Sequence, residues 1–244
     1  MSGHSKWATI KRKKAANDAK RGKLFARLVR AIEIAAKSGS DPTGNAPLGA
    51  AVAKARANSV PVDIIDRAIK RGSGEADGAD YEEVWYEGYA PGGVAVYVQV
   101  LTDNRNRAAS AVRAAFTRNG GNLGEPGSVG YLFDAKGYLE VSGDEDDVML
   151  VALESGAEDV QGSDRQFEVF TAPGDLNSVE AAMTAAGHKV ENVDLTRVPK
   201  VSVPVDAATA PKVIRLVDAL EDLDDVQTVY ANYEIDDAVL ETLV

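Results

Sequence analysis

The spacing of apolar residues first changes near residue 80, and that change limits what the chain can fold into. From Leu24 to Ile69 apolar groups recur at helical intervals; from Val84 onward alternating runs appear. A period of 3.6 buries one stripe of a helix, whereas a period of two buries one face of a strand. "KLFARLVRAIEIAAKSG" places Leu24, Leu28, Ala31, Ile32 and Ala35 on one helical face and stops at Gly39, before Asp41-Pro42. A second helix is predicted from about Pro47 to Asn58 through Leu48, Val52 and Ala55. A third runs from Pro61, a residue suited to a first helical turn, to Gly72, with Ile64, Ile65, Ala68 and Ile69 inward. Residues 23–76 read as a small helical bundle, ending in the polar linker "GSGEADGAD" at 72–80.

Beyond the linker, "EVWYEGY" and "GVAVYVQVL" flank Ala90-Pro91-Gly92, a hairpin signal. A helix is predicted at 105–119 with Ala109, Val112 and Phe116 inward, closed by Gly120 and Gly121. Residues 129–141 read as strand, turn at "DAKG", strand. Helix 144–155, strands 157–161 and 166–171, helix 175–186 and strand 190–198 follow, which gives the ferredoxin-like order β-α-β-β-α-β. The last helix, carrying Val213, Leu216, Val217 and Leu220, and the strand "VQTVYANYEI" have no sheet of their own. They are expected to rejoin the sheet begun at 84–101. The fold class is therefore α+β. A basic arm (1–22) and the helical bundle (23–76) precede a discontinuous α/β domain (77–135 plus 201–244), into which a ferredoxin-like domain (136–200) is inserted.

The chain is acidic overall, with 27 Lys and Arg against 38 Asp and Glu, but unevenly so. Residues 1–72 hold 16 basic and 5 acidic side chains, a net of +11, leaving 11 basic and 33 acidic, a net of −22, for residues 73–244. Such asymmetry points to a polyanion-binding end on an acidic body. There is no cysteine, which excludes disulfides, thiolate catalysis and cysteine-ligated metals. No apolar run approaches the roughly 20 residues of a membrane span, and the basic N-terminus lacks a following apolar segment, so a cytoplasmic protein without a membrane partner is expected.

The densest chemistry is in the opening run. Lys6, Lys11, Arg12, Lys13, Lys14, Lys20, Arg21 and Lys23 crowd one segment around Trp7, which has no apolar stripe to join. Cations suit phosphate contact and an aromatic among them suits stacking on a base; Trp7 as an anchor to the bundle is the competing reading. "LTDNRNR" at 101–107 sits where a strand passes into a helix, so Asp103 or Asn104 can cap it and Arg105 and Arg107 project near the helix start. There they either fork to phosphate or pair with the acidic body. "RNGGNLGEPGS" at 118–128 reads as a helix stop and mobile loop, with Arg118 able to touch phosphate, and "GDEDDV" at 143–148 as an acidic helix start. His4 and His188 are too far apart in sequence for metal-ligand spacing, and no catalytic residue, metal or cofactor is proposed.

Taken together, "GHSKWATIKRKKAANDAKRGKLF", "RAIKRGSGE", "YEGYAPGGVAVYV", "LTDNRNR" and "NGGNLGEPGSVGYLF" resemble the YebC family, whose eukaryotic relative is the mitochondrial translational activator of cytochrome c oxidase. The resemblance implies one helical and two α/β domains, no enzymatic activity, and two functional claims: DNA-binding transcriptional regulation and ribosome-associated translation. The family commonly carries an arginine early in the second helix, where this chain has Leu48-Gly49-Ala50.

The leading expectation is a monomeric translation factor whose basic end binds ribosomal RNA or tRNA on the ribosome. A body at −22 repels the flanking phosphates of a long duplex. The alternatives are a transcriptional regulator on promoter DNA, which two short helices around "NSVP" keep open, and a module whose arm binds an acidic protein. No small-molecule substrate is expected.

Overall fold

The first three helices pack together because each has an apolar stripe to cover. The computed structural model describes residues 18–236, with side chains from residue 22 onward. Helix α1 (Asp18–Ala36) runs through Gly22, a residue type that commonly breaks a helix. It buries Leu28, Ile32 and Ala36 against Leu48, Val52 and Ala55 of α2 (Ala46–Ala57) and Ile65 and Ala68 of α3 (Val62–Gly72). Asn45 sets the first corner. Its Oδ1 accepts from Leu48 N–H at 3.2 Å to cap α2, while its Nδ2 donates to the carbonyls of Ala35 and Gly39 at 2.8 Å, closing the end of α1. Leu48 is fully buried in this core.

Strands β1 (Glu82–Tyr89) and β2 (Ala95–Thr102) form an antiparallel hairpin, in register from Glu82 opposite Thr102 to Tyr89 opposite Ala95. Helix α4 (Arg105–Arg118) and the two-residue strand β3 (Asn122–Leu123) follow. The chain returns after residue 200 with β8 (Val203–Val205), α7 (Ala210–Glu221), β9 (Val226–Ala231) and β10 (Tyr233–Ile235). β9 adds to β2, giving the sheet order β3-β1-β2-β9, and β10 pairs in parallel with β8. Val96, Val98 and Val100 of β2 meet Ala108, Val112, Ala115 and Phe116 of α4 and Val213, Leu216, Val217 and Leu220 of α7 in one core. Ala108 takes the inward place expected for Ala109, a shift of one residue around the helix.

Residues Leu132–Lys200 form a separate compact unit. It contains β4 (Phe133–Ser142), α5 (Glu145–Ser155), β5 (Asp159–Ser163), β6 (Gln166–Thr171), α6 (Leu176–Ala185) and β7 (Lys189–Pro199). Its antiparallel sheet has the order β5-β6-β4-β7, the ferredoxin-like arrangement, with Leu139, Val148, Val169, Val179 and Met183 in the core. The turn expected at "DAKG" is absent, because Asp134 to Gly137 pair continuously with Val198 to Leu195 of β7. Gly137 serves close packing there: a Cβ would lie 2.2 Å from Thr171 Oγ1 and 3.0 Å from Leu176.

Gly72 has the same role in the bundle. A Cβ at this position would stand 2.1 Å from the Glu33 carbonyl oxygen and 2.8 Å from Ala36 Cβ, so α1 and α3 cross here on the missing side chain. Gly72→Ala is expected to destabilise the bundle by about 1–3 kcal/mol, since overpacking forces backbone shifts. Thermal unfolding followed by circular dichroism checks this; an unchanged midpoint would mean that the crossing is looser than described.

Candidate nucleic-acid interface

The basic residues of α1 do not all face outward. Lys23 Nζ donates to the Asp222 carbonyl at 2.9 Å and lies 3.6 Å from the Asp222 carboxylate. One and two turns further on, Arg27 donates to the carbonyl of Glu221 and Arg30 to that of Asp224. These acceptors are carbonyls at the end of α7 and in the turn after it, where the helix dipole favours cations. Burial pushes the Arg27 guanidinium below its ordinary pKa, against the pull of Glu221 and Asp222.

Asp225 gathers this contact into one point. Its carboxylate, only 13% exposed, lies 3.7 Å from Arg30 and accepts from Arg107 at 2.9 Å and from Thr102 Oγ1 at 3.1 Å. Arg30 also sits 5.6 Å from the centre of the Tyr81 ring, in the cation–π range. A cleft of about 290 Å³ opens beside the clasp, lined by Arg30, Arg107, Ala111, Leu223 and Asp225 among others.

Arg105 and Arg107 are therefore placed differently. Asn104 caps α4, its Oδ1 accepting from Arg107 N–H at 3.0 Å. The Arg107 side chain reaches back to Asp225 and, at 2.7 Å, to Asp103. These hydrogen bonds, Asp225 first, hold its pKa above the ordinary value, and Arg107 holds the Asp103 carboxyl below its own. Arg105 is 64% exposed and pairs only loosely with Glu82, at 3.3 Å. Lys6, Trp7, Lys11, Arg12, Lys13 and Lys14 lie outside the described residues. Lys20 and Arg21 fall on the helical backbone of α1, and their side chains lie outside the description.

The glycine-rich loop is pinned rather than loose. Glu87, buried on β1, accepts from Gly127 N–H at 2.7 Å through one carboxylate oxygen. Its other oxygen accepts from Val129 and Gly130 N–H at 2.6 and 2.7 Å. Burial alone would raise the pKa of this carboxyl; the three backbone donors outweigh burial and hold it below the usual carboxylate range. β3 pairs with β1 at Gly88 and Tyr89, fastening the other end of the loop. "GDEDDV" supplies Asp144 at the N-cap position of α5 and Glu145, Asp146 and Asp147 in its first turn, as a helix start. Among the described residues no group of three or more His, Asp or Glu side chains could hold a metal ion, and no helix is long and apolar enough to cross a membrane.

Arg27, Arg30, Asp225 and Glu87 were not singled out from the sequence. The one available signal was the acidic run "EDLDD" at 221–225, and its partner helix lies almost two hundred residues away.

Comparison with known proteins bears on the whole chain. The model for the N-terminal domain of TACO1/YebC proteins matches residues 5–75, and that for their second and third domains matches residues 81–233. The chain belongs to the TACO1/YebC family. A YebC-family protein of Acidothermus cellulolyticus is 57% identical over 98% of this chain and 99% of its own, and one of Salinispora arenicola is 55% identical over 100% of both. Each is described as a "probable transcriptional regulatory protein". The crystal structure of a conserved hypothetical protein of Aquifex aeolicus has a TM-score of 0.83 at 47% identity, covering 90% of this chain and 93% of that one. The family pattern therefore coincides with the helical bundle and both α/β parts.

Two substitutions test this geometry. Asp225→Asn removes the charge that Arg30 and Arg107 share and is expected to lower stability by about 1–3 kcal/mol. Adding Arg30→Ala should cost less than the sum of the single changes, because the two residues act in one network; full additivity in denaturant unfolding would count against the clasp. Glu87→Gln leaves one backbone N–H facing an amide donor and should cost about 1–3 kcal/mol near neutral pH. Because the folded pKa of Glu87 is depressed, its contribution is complete above the unfolded value of about 4.5 and is lost as pH falls through the folded value. The stability gap between wild type and Glu87→Gln should accordingly narrow below about pH 4.5, as unfolding at pH 7 and pH 3 would show.

Proposed function

We propose that this YebC-family chain is a non-enzymatic, cytoplasmic, nucleic-acid-binding regulator that grips RNA on the ribosome through its N-terminal basic region. The observation that carries the reading is how the positive charge divides. Residues 1–21 hold seven Lys and Arg against one Asp, a net of +6. In the rest of the bundle, Lys23, Arg27 and Arg30 point to the 221–225 turn, Lys37 pairs with Asp80, Arg67 with Asp63 and Arg71 with Glu33, while Arg56 and Lys70 are exposed at scattered positions. The densest positive charge in the sequence is that of Lys6, Lys11, Arg12, Lys13, Lys14, Lys20 and Arg21, and in this reading these residues meet the phosphates, with Trp7 offering a ring for stacking. Lys23 and Arg107 contribute positive potential from within ion pairs. Arg105 is the better placed second contact.

Transcriptional regulation on promoter DNA is the second reading, favoured by the description its relatives carry. The α2–α3 pair argues against a helix-turn-helix mode. The exposed side of α3 mixes Asp63 and Asp66 with Lys70 and with an Arg67 already paired to Asp63, so it is no basic recognition face.

Changing Lys11, Arg12, Lys13 and Lys14 together to Glu is expected to abolish RNA binding and ribosome co-sedimentation at near-physiological salt. The log–log salt slope should fall by about 3 if four phosphates of a single strand are contacted. Unchanged binding by a folded variant would overturn the proposal. A promoter bound about a thousandfold above random duplex, the low end of operator specificity, without ribosome association would establish the transcriptional reading.

A further inference from the structure

Residues 104–124 contain four arginines and no acidic residue, in a body where residues 73–244 carry 33 Asp and Glu. At that density about four acidic groups would be expected across these 21 residues. Helix stability does not explain the gap. Glutamate is a good helix former, and acidic groups near an N-terminus gain from the dipole. α5 follows this rule with three acidic residues in its first turn, whereas α4 has none and opens with Arg105 and Arg107.

The composition maps to a surface. The buried side of α4 is Ala108, Val112, Ala115 and Phe116. Its outer side is Asn106, Ser110, Arg113 and Thr117, all exposed, with Arg118 exposed at the end. Arg113 and Arg118 make no ion pair among the described residues, whereas Arg105 and Arg107 at the other end do. Tyr86, half-buried on the neighbouring strand, donates its hydroxyl to the Arg105 carbonyl at 3.3 Å, placing an aromatic edge beside this end of the helix. From Asn106 to Arg118 this side of the helix is about 18 Å long at 1.5 Å per residue.

We infer that the outer face of α4 is a second RNA-binding surface, on which Arg113 and Arg118 follow the phosphates of a single-stranded or looped segment. The inference rests on the nucleic-acid reading above and adds to it a site remote in sequence from the basic arm. Charge complementarity selects a polyanion, because arginines forming no internal ion pair face outward with neutral hydrogen-bonding neighbours and no carboxylate on the helix. The surrounding acidic body selects a flexible strand over a duplex, because a stiff helix longer than this face would run onto carboxylates.

The test uses the full chain with a 20-nucleotide poly(U) RNA and a 20-base-pair DNA duplex, titrated across salt concentrations. Arg113→Gln with Arg118→Gln keeps the helix propensity and removes two charges, so the RNA slope should fall by about 1.4. Arg113→Lys with Arg118→Lys should retain it, and Lys212→Gln with Arg215→Gln, exposed on α7, should leave it unchanged. An RNA slope unaffected by the α4 variant, or lowered equally by the α7 variant, overturns the inference while leaving the arm's role standing. A loss confined to the DNA duplex overturns it as well. Absence of salt-dependent RNA binding by the wild-type chain would overturn both readings together.

Discussion

Asp225 sits where three parts of the chain meet. Its carboxylate receives Arg107 from the start of α4 and Thr102 from the end of β2, and it lies beside Arg30 of α1. Its own carbonyl accepts from Leu101 N–H at 2.9 Å, so backbone and side chain are both fixed. The carboxylate is largely shielded from water, which makes leaving any of its partners unpaired more costly than at an exposed surface pair. The helical bundle and the discontinuous α/β domain are joined through this turn, and the Arg27 and Lys23 contacts extend the same seam toward the N-terminus.

This seam divides the basic segment by use. The α1 cations that meet the 221–225 turn are committed to helix-end carbonyls and carboxylates inside the molecule. The proposed RNA contact draws on the other set, the cations before residue 22. A sequence charge count adds the two sets together. The same division applies at α4, where Arg107 pairs with two carboxylates while Arg113 and Arg118 are exposed and make no ion pair among the described residues.

Local pattern carried much of the architecture. The helical stripe of Leu28 and Ile32, the alternation of Val96, Val98 and Val100 and the β-α-β-β-α-β order after residue 132 all depend on neighbours within a few residues. What pattern could not show depended on partners distant in sequence. "DAKG" has turn composition, yet it is held straight by β7 some sixty residues later, with Gly137 making room for Thr171 and Leu176. Gly22 has the composition of a break, yet α1 continues through it. The glycine-rich run after α4 looked loose because the carboxylate that gathers its N–H groups, Glu87, lies on another strand. At the candidate site, the cap at Asn104 was readable, but the fate of Arg107 depended on Asp225, 118 residues away.

The split of the α/β domain by Leu132–Lys200 has a consequence for the order in which the protein is made. β2 gains its second neighbour only when β9 has been synthesised, and α7, which closes the core over Val96, Val98 and Val100, emerges just before it. The ferredoxin-like unit, by contrast, is contiguous and can close as soon as β7 is complete. A nascent chain therefore holds one finished unit behind an unfinished one, with a hydrogen-bonding edge of β2 open until the final strands arrive. For that whole interval Lys23, Arg27 and Arg30 are without the carbonyls and carboxylates of residues 221–225.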